Sequence, residues 1–428
     1  MSISKETKLK RFQFNIFTSL FLGYGSYGLN RKSVSLAMPS MMGQGLGTNE
    51  AGLIASSQNL AYAISKFAGG ILSDRISARL LFSFGLIASG LITIAFSFSD
   101  SVSVFTGLWF LNGLAQGAGW PACAKLLREW YDPVSFGTWW SLLSASINIS
   151  GGISPFVAAF LTTTYGWRTS IFFSGAVSVF FGVVALLFLI NSPTEIGLKG
   201  FGQSQKQDKK GKSQGKETIN DLIKSPMLWI VAIAYMSVSC SKTSSTDWGQ
   251  VYLMEERKQS QYVASGFTSS IESGGFVGSI FAGWLTDVYL KLRKEKNTVK
   301  GRMPVAILMM IGLAVCFHLL YFQITPDTTK FTIASIGFVL GACLYGPIAL
   351  FGILATESAP LHLSGTAHAI VALSANVGAI ISGLPFSYVA AFYSWGSIFF
   401  LLEIVTIFTV FIMCFYVKFI PSDKRKAE

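Results

Sequence analysis

Along its 428 residues the chain turns apolar twelve times for about the length of a membrane-crossing helix, which needs roughly 20 mostly apolar residues to traverse the hydrocarbon core. The stretches fall at about 14–39, 50–73, 80–98, 103–125, 136–164, 170–191, 226–254, 262–286, 303–323, 331–355, 363–390 and 395–418. Segments in lipid must satisfy every backbone N–H and C=O internally, and a helix does so one span at a time. The predicted fold class is therefore an all-α membrane protein of twelve transmembrane helices. Charged residues make up 13% of the chain and hydrophobic ones 51%, where a soluble domain carries about 25% charge; mean hydropathy is +0.52. A disordered chain, an ordinary soluble enzyme and a nucleic-acid binder are excluded despite a net charge of +12. The first span is long and carries Arg31 and Lys32 near its centre, so it is expected to be a span and not a cleaved signal. Cys123, Cys240, Cys316, Cys343 and Cys414 are scattered through apolar stretches without metal-ligand spacing. Neither a disulfide framework nor, with three histidines, a metal site is expected, and no cofactor is implied.

The 33 Lys and Arg then set orientation. Four lie inside spans (Arg31, Lys32, Lys66, Lys242) and four in the loops of one side (Arg168, Arg257, Lys258, Lys330). The remaining 25 occupy the N-terminus, the loops after even-numbered spans and the C-terminus, counting Lys125 and Lys418 at the span ends that border them, which places both termini and the central loop in the cytosol. The net charge is thus a topology signal that requires no acidic partner. A linker over 192–225, rich in Gly, Ser, Gln and Lys, is expected to be flexible. It divides an N-terminal six-helix half, 1–191, from a C-terminal half, 226–428. A repeat supports the division. Gly70-Ile71-Leu72-Ser73-Asp74-Arg75, followed by Arg79, comes after span two; Gly283-Trp284-Leu285-Thr286-Asp287, followed by a basic run ending at Arg302, comes after span eight. Two related halves around a central loop is the organisation of a secondary transporter, with its substrate expected at the midplane between them.

Basic side chains at membrane depth cost about 2.5–3.5 kcal/mol on insertion scales and as a rule face a cavity or a partner. In span one Tyr24, Tyr27 and Arg31 share a helical face, and in span two Tyr62 and Lys66 do so at i, i+4. Span seven carries Lys242, with Thr246 one turn on and Asp247 beside it; the other acids at depth are Glu272 and Glu403. If Lys242 pairs with Asp247 and Lys66 with Glu272, then Arg31 and Lys32 leave a positive surplus suited to an anion. Arg offers a planar fork that holds phosphate or carboxylate bidentately, and Lys a point charge. The tyrosines would add hydroxyl donors and an apolar wall. Each cation has a plainer reading as half of a structural ion pair, and Lys66 divides evenly between the two.

The loop after span two resembles the signature of the major facilitator superfamily, whose Asp and Arg residues latch the cytosolic ends of neighbouring helices. The resemblance gives Asp74, Arg75 and Arg79 a gating role, with Asp287 a weaker echo, beside the reading of an ordinary positive-inside loop. Over essentially its whole length the chain is similar to the organophosphate–phosphate antiporter family, and more narrowly to its glucose-6-phosphate translocase branch. Carrying that resemblance are Tyr24-x-x-Tyr27-x-x-x-Arg31-Lys32 through Met38-Pro39, Tyr62-Ala63-Ile64-Ser65-Lys66-Phe67, WFLNGLAQGAGWPACAKLLREW (Trp109 to Trp130), GTWWSLLSASIN (Gly137 to Asn148), TDWGQ (Thr246 to Gln250), YGPIALFGILATESAP (Tyr345 to Pro360) and GTAHAIVALSANVG (Gly365 to Gly378).

What the family implies is a twelve-helix carrier, not an enzyme, that exchanges glucose 6-phosphate for inorganic phosphate by alternating access; the alternatives are an exchanger of another organic phosphate and a sensor that binds hexose phosphate without turnover. Phosphate contacts are implied at Arg31 and Lys242, the latter where bacterial members often have a second Arg. Several bacterial members have a His before the span-five Asn; here Ile147 precedes Asn148. His368 is the replacement candidate, with Asn376 two turns on, against a packing role for the histidine and helix–helix hydrogen bonds for Asn148 and Asn376. Trp139, Trp140 and Trp248 stack on a sugar ring or simply pack. The tail, Lys424-Arg425-Lys426-Ala427-Glu428, looks like a dilysine retrieval signal for the endoplasmic reticulum, where imported glucose 6-phosphate would feed a luminal glucose-6-phosphatase. The partners implied are those two small molecules and the lipid bilayer, with no nucleic acid.

Overall fold

The structure, a computed structural model, describes residues 5–132, 136–198, 219–293, 298–357 and 364–419. Among these residues the twelve apolar stretches are twelve helical spans. Spans one to six are Lys5–Gly43, Thr48–Arg75, Ala78–Ser97, Val102–Gln116 continued by Gly119–Trp130, Phe136–Tyr165 and Trp167–Phe188. Spans seven to twelve are Pro226–Val251, Gln261–Arg293, Thr298–Phe322, Lys330–Glu357, Ser364–Ile381 continued by Leu384–Phe392, and Trp395–Phe419. Seven of the described helices are long and apolar enough to cross a membrane by length and composition alone: those of spans three, five, six, nine, ten, eleven and twelve. Spans one, two, seven and eight, which carry Arg31, Lys32, Lys66, Lys242, Asp247 and Glu272, are not among these seven, their apolar runs being diluted by Gly, Ser and other polar residues as well as by charge.

The chain forms two compact units, Met1–Ser213 and Gln214–Glu428. In the first, span three packs along span six, span two along span four, and span one against spans five and six. Leu20, Tyr27, Phe82, Leu126, Trp130 and Leu143 meet in a fully buried core. In the second, spans eight and ten form the closest pair. A β-carbon placed on Gly274 would stand 1.9 Å from the Phe338 carbonyl oxygen, and one on Gly341 would stand 2.0 Å from that of Ile271. Lipid tails give helices no hydrophobic reason to associate, so close backbone approach through small residues supplies the contact.

Details depart from the sequence-based expectation. Span four, read as one run, breaks after Gln116 and then continues to Trp130; span eleven breaks after Ile381. Span seven ends in a π turn, Tyr252–Glu256. The linker expected to be flexible over 192–225 is structured at both described ends. Pro193–Ile196 is a 3-10 turn closed by Gly197 at φ 74°, and Ile219–Ile223 is a short helix that buries Leu222. Residues 199–218 and the tail from 420 on, dilysine motif included, lie outside the described residues.

Two of the four basic residues on the sparsely charged side have local structural work. Arg168 Nη1 donates to the carbonyls of Ser97 at 2.8 Å and Ser99 at 2.7 Å, and the guanidinium also meets Asp100. Arg257 Nη2 donates to the Tyr321 carbonyl at 2.9 Å and Nε to the Tyr252 hydroxyl at 2.8 Å. Both arginines cap the carboxyl ends of helices, of span three and span nine, where orphan carbonyls attract cations. These exceptions to the charge asymmetry therefore have a cause other than topology. Replacing Gly341 by Leu would drive a side chain into the span-eight backbone, and overpacking costs about 1–3 kcal/mol or more. We expect a clearly lower unfolding midpoint for Gly341→Leu in detergent, followed by size-exclusion fluorescence; an unchanged midpoint would contradict the eight–ten contact.

Candidate functional site

Arg31, on span one, sits with its guanidinium carbon 4.1 Å above the centroid of the Tyr62 ring from span two. Its Nε donates to Gln116 Oε1 at 3.0 Å, at the end of the first segment of span four. Lys66, one turn beyond Tyr62, brings its ammonium 5.9 Å from the same ring. The face shared by Tyr62 and Lys66 is thus formed as the spacing predicted, and a cation over an aromatic face gains about 0.5–2 kcal/mol. Lys32, the next residue along span one, is half-buried and engages neighbours of its own.

Behind Arg31 lies a neutral network that charge counting passes over. Gln116 Nε2 donates to Asn30 Oδ1 at 3.0 Å and to Asn112 Oδ1 at 2.7 Å. Asn30 Oδ1 also accepts from Asn112 Nδ2 at 2.9 Å and from Thr93 Oγ1 at 3.1 Å, and Asn30 Nδ2 donates to Ser178 Oγ at 3.1 Å. All five side chains are buried, and together they join spans one, three, four and six. Because both hydrogens of the Gln116 amide are taken up behind it, its oxygen is left turned to Arg31. A buried amide must be satisfied, and here its satisfaction fixes the guanidinium. The sequence did contain a signal: Asn30 directly precedes Arg31, and Asn112 and Gln116 stand at i, i+4 inside an apolar run.

The tyrosines of span one divide. Tyr27, expected to offer its hydroxyl to an anion, is fully buried and donates instead to the Phe82 carbonyl at 2.9 Å. Helical spacing puts a side chain on a face without saying whether that face is open. Tyr24 lies 6.3 Å from Tyr27 and 4.9 Å from Trp120, whose ring meets Trp140 edge-on at 4.6 Å. The break in span four allows this crowding. A β-carbon on Gly117 would come within 2.5 Å of the Lys66 backbone nitrogen, and one on Gly119 within 3.0 Å of the Tyr27 ring. Trp139 packs on Phe17 at 4.9 Å and Tyr131 at 4.5 Å, so it is a packing residue. Asn148 is half-buried and takes no hydrogen-bond partner among the described residues, so the expected helix–helix bond is not formed there.

In the second unit the Lys242 ammonium lies 4.2 Å above the Tyr345 ring, and the Tyr345 hydroxyl donates to Glu272 Oε2 at 2.5 Å. The carboxylate that charge pairing would assign to Lys66 is therefore engaged within its own unit, 4% exposed. Asp247 is buried and accepts from Thr246 Oγ1 at 3.5 Å. Glu403 is met by His318 Nδ1 at 3.0 Å. His368 is exposed, its ring edge beside Gly352, which sets it apart from a packing histidine. Asn376 is half-buried and, like Asn148, makes no hydrogen bond among the described residues. Trp248 is buried, donates Nε1 to the Ser382 carbonyl at 2.7 Å and lies 5.1 Å from Trp395; it packs, and does not offer a free face.

Of the residues expected to form a gate, Arg79 braces the start of span three to the end of span six, with Nε and Nη2 donating to the Leu186 carbonyl at 3.0 and 2.5 Å. Its backbone N–H donates to Asn191 Oδ1 at 3.0 Å. In the second unit Arg302 Nη1 reaches Thr286 Oγ1 at 3.2 Å and ties span nine to span eight. The side chains of Asp74, Arg75 and Asp287 lie outside the described residues.

If the amide network acts as a unit, Asn112→Leu and Gln116→Leu should not add. Each single change strands buried partners at a cost of about 1–3 kcal/mol, while the double variant should lose distinctly less than the sum. Unfolding midpoints of both singles and the double decide it, and strict additivity would dismantle the network.

Comparison with known proteins shows the family. The family model described as Major Facilitator Superfamily matches residues 20–383. The membrane sensor protein UhpC of Salmonella typhimurium strain LT2 is 31% identical over 403 residues, covering 92% of this chain and 89% of its own. A probable hexose phosphate transport protein of Chlamydia pneumoniae is 31% identical over 410 residues, covering 92% and 88%. The crystal structure of a bacterial homologue of the human lysosomal transporter Spinster superposes with a TM-score of 0.72 at 12% identity, over 95% of this chain and 96% of that one; it speaks to the fold alone. The chain belongs to the major facilitator superfamily, as a multi-pass membrane relative of its organophosphate and hexose-phosphate transport proteins.

Proposed function

We propose that the protein exchanges glucose 6-phosphate for inorganic phosphate across a membrane by alternating access. The observation that carries this reading is the paired placement of cations: Arg31 over Tyr62 in one unit and Lys242 over Tyr345 in the other. In the six spans of the first half as bounded in the sequence, four cations (Arg31, Lys32, Lys66 and, at the last residue of span four, Lys125) stand against a single acid, Glu50, at the first residue of span two. That acid accepts from the Gly47 N–H at 2.8 Å, at the helix start. The positive surplus suits an anion, and Arg31 has the planar fork that fits a phosphoryl group. Lys242 keeps the charge without the fork, so its grip is point-like, with Lys32 in reserve beside Arg31.

Obligatory exchange follows from the same surplus. Enclosing like charges in a medium of low dielectric is unfavourable, and a bound phosphate or phosphate ester removes the penalty. Either anion permits the transition, and an empty carrier is held back. His368 and Lys66 are candidates for further contacts. Asp74, Arg75, Arg79 and Asp287 are the proposed gate, Arg79 by bracing spans three and six. The retrieval-like tail and the charge asymmetry support a carrier of the endoplasmic reticulum with both termini cytosolic, supplying a luminal phosphatase.

The similarity to a membrane sensor protein favours one second reading, a receptor that binds hexose phosphate without moving it. Counterflow in proteoliposomes loaded with unlabelled glucose 6-phosphate separates the two: a carrier accumulates labelled phosphate, and a sensor binds without accumulation. We expect counterflow in the parent protein. In Arg31→Ala and Lys242→Ala both phosphate–phosphate and sugar phosphate exchange should fall about thirtyfold or more, since each removes a charge-assisted contact worth about 2–5 kcal/mol; retained exchange in either would falsify the assignment. Changing Lys424 and Lys426 to Ser should move a tagged protein out of the reticulum, and unchanged localisation would remove the address.

A further inference from the structure

We propose that Trp120 is the sugar-ring platform of this site, and that it sets a preference for phosphate esters of ring-form hexoses over three-carbon phosphate esters. The inference rests on the phosphate reading of Arg31 and adds what stands next to it. Gln116, which holds Arg31 Nε at 3.0 Å, and Trp120 are four residues apart, about one helical turn or roughly 6 Å. Gly117 and Ala118, between them, keep right-handed helical dihedrals, so the break does not carry the indole away. In a hexose 6-phosphate a single methylene separates the phosphoester oxygen from the pyranose ring. A phosphoryl group on Arg31 therefore brings the ring to the neighbourhood of Trp120, whereas the chain of a three-carbon ester has no ring to lay there.

The indole is built for the task. Its orientation is held from two sides, by Trp140 edge-on at 4.6 Å with planes 79° apart and by Tyr24 at 4.9 Å. Two neighbours set its backbone: Gly119 lies against the Tyr27 ring, and the Tyr27 hydroxyl is anchored on the Phe82 carbonyl. Tyr27 thus serves the site as a support and not as a ligand. Trp120 is nonetheless only half-buried, in contrast to Trp109, Trp130 and Trp248, which are fully enclosed. A large flat apolar surface, fixed in place and left partly open beside a cation, suits the C–H face of a sugar ring.

The experiment is competition of labelled phosphate uptake in proteoliposomes by glucose 6-phosphate and by glycerol 3-phosphate, for the parent, Trp120→Ala and Trp120→Phe. In Trp120→Ala the half-inhibiting glucose 6-phosphate concentration should rise about tenfold relative to that of glycerol 3-phosphate. Trp120→Phe, which keeps an aromatic face, should recover part of the preference. An unchanged ratio in Trp120→Ala overturns the proposal and leaves the exchange reading standing. Equal weakening toward both esters and toward phosphate, in either variant, also overturns it by making Trp120 a structural residue. Absence of exchange in the parent would instead remove the exchange reading. The same ratio is then read from displacement of bound labelled glucose 6-phosphate, with the same outcomes for Trp120.

Discussion

A guanidinium in the middle of a membrane helix must be held, and the way Arg31 is held organises the first half of the molecule. One side of the group lies on the Tyr62 ring, and its Nε donates to Gln116. Gln116 can point its oxygen that way only because Asn30 and Asn112 take its hydrogens. Those amides in turn draw in Thr93 and Ser178. Four spans are tied to one cation through neutral groups. This solution keeps the charge: a carboxylate in the position of Gln116 would neutralise Arg31, while an amide orients it and leaves its charge in place.

The second half solves the same problem with different parts. Lys242 also sits on a tyrosine ring, but Tyr345 is turned by Glu272, which accepts from its hydroxyl. A carboxylate stands one residue removed from the cation, with the aromatic ring between. A lysine has three donors and no plane to align, so it needs less surrounding scaffold than an arginine. The contrast between amide network and tyrosine–carboxylate pair matches the contrast between fork and point charge.

Much of the candidate site was legible from residue type and spacing. Arg31, Lys242, Tyr62 and Lys66 stand out because a cation in an apolar run is costly and a tyrosine four residues away shares its face. Asn30, Asn112 and Gln116 did not stand out, since amides lower a span's hydropathy only slightly and their value depends on meeting one another. Tyr27 was misjudged for the complementary reason. Its spacing relative to Arg31 is right, but span three covers it and takes its hydroxyl. Trp120 lay within a run that carried the family resemblance, yet its orientation depends on Trp140 and Tyr24, from other helices.

By itself the sequence determined twelve membrane spans and the few charges at the wrong depth, because these follow from how each residue partitions between water and lipid. That information is local and survives without knowing any neighbour. Only the tertiary structure decided which polar groups face each other: that Gln116 meets Arg31, that Glu272 belongs to Tyr345, that Arg168 and Arg257 cap helix ends, and that Tyr27 is closed off while Trp120 is not. Hydrogen bonds act over about 3 Å and within narrow angles, and partners from separate spans are brought to that range only when the helices pack.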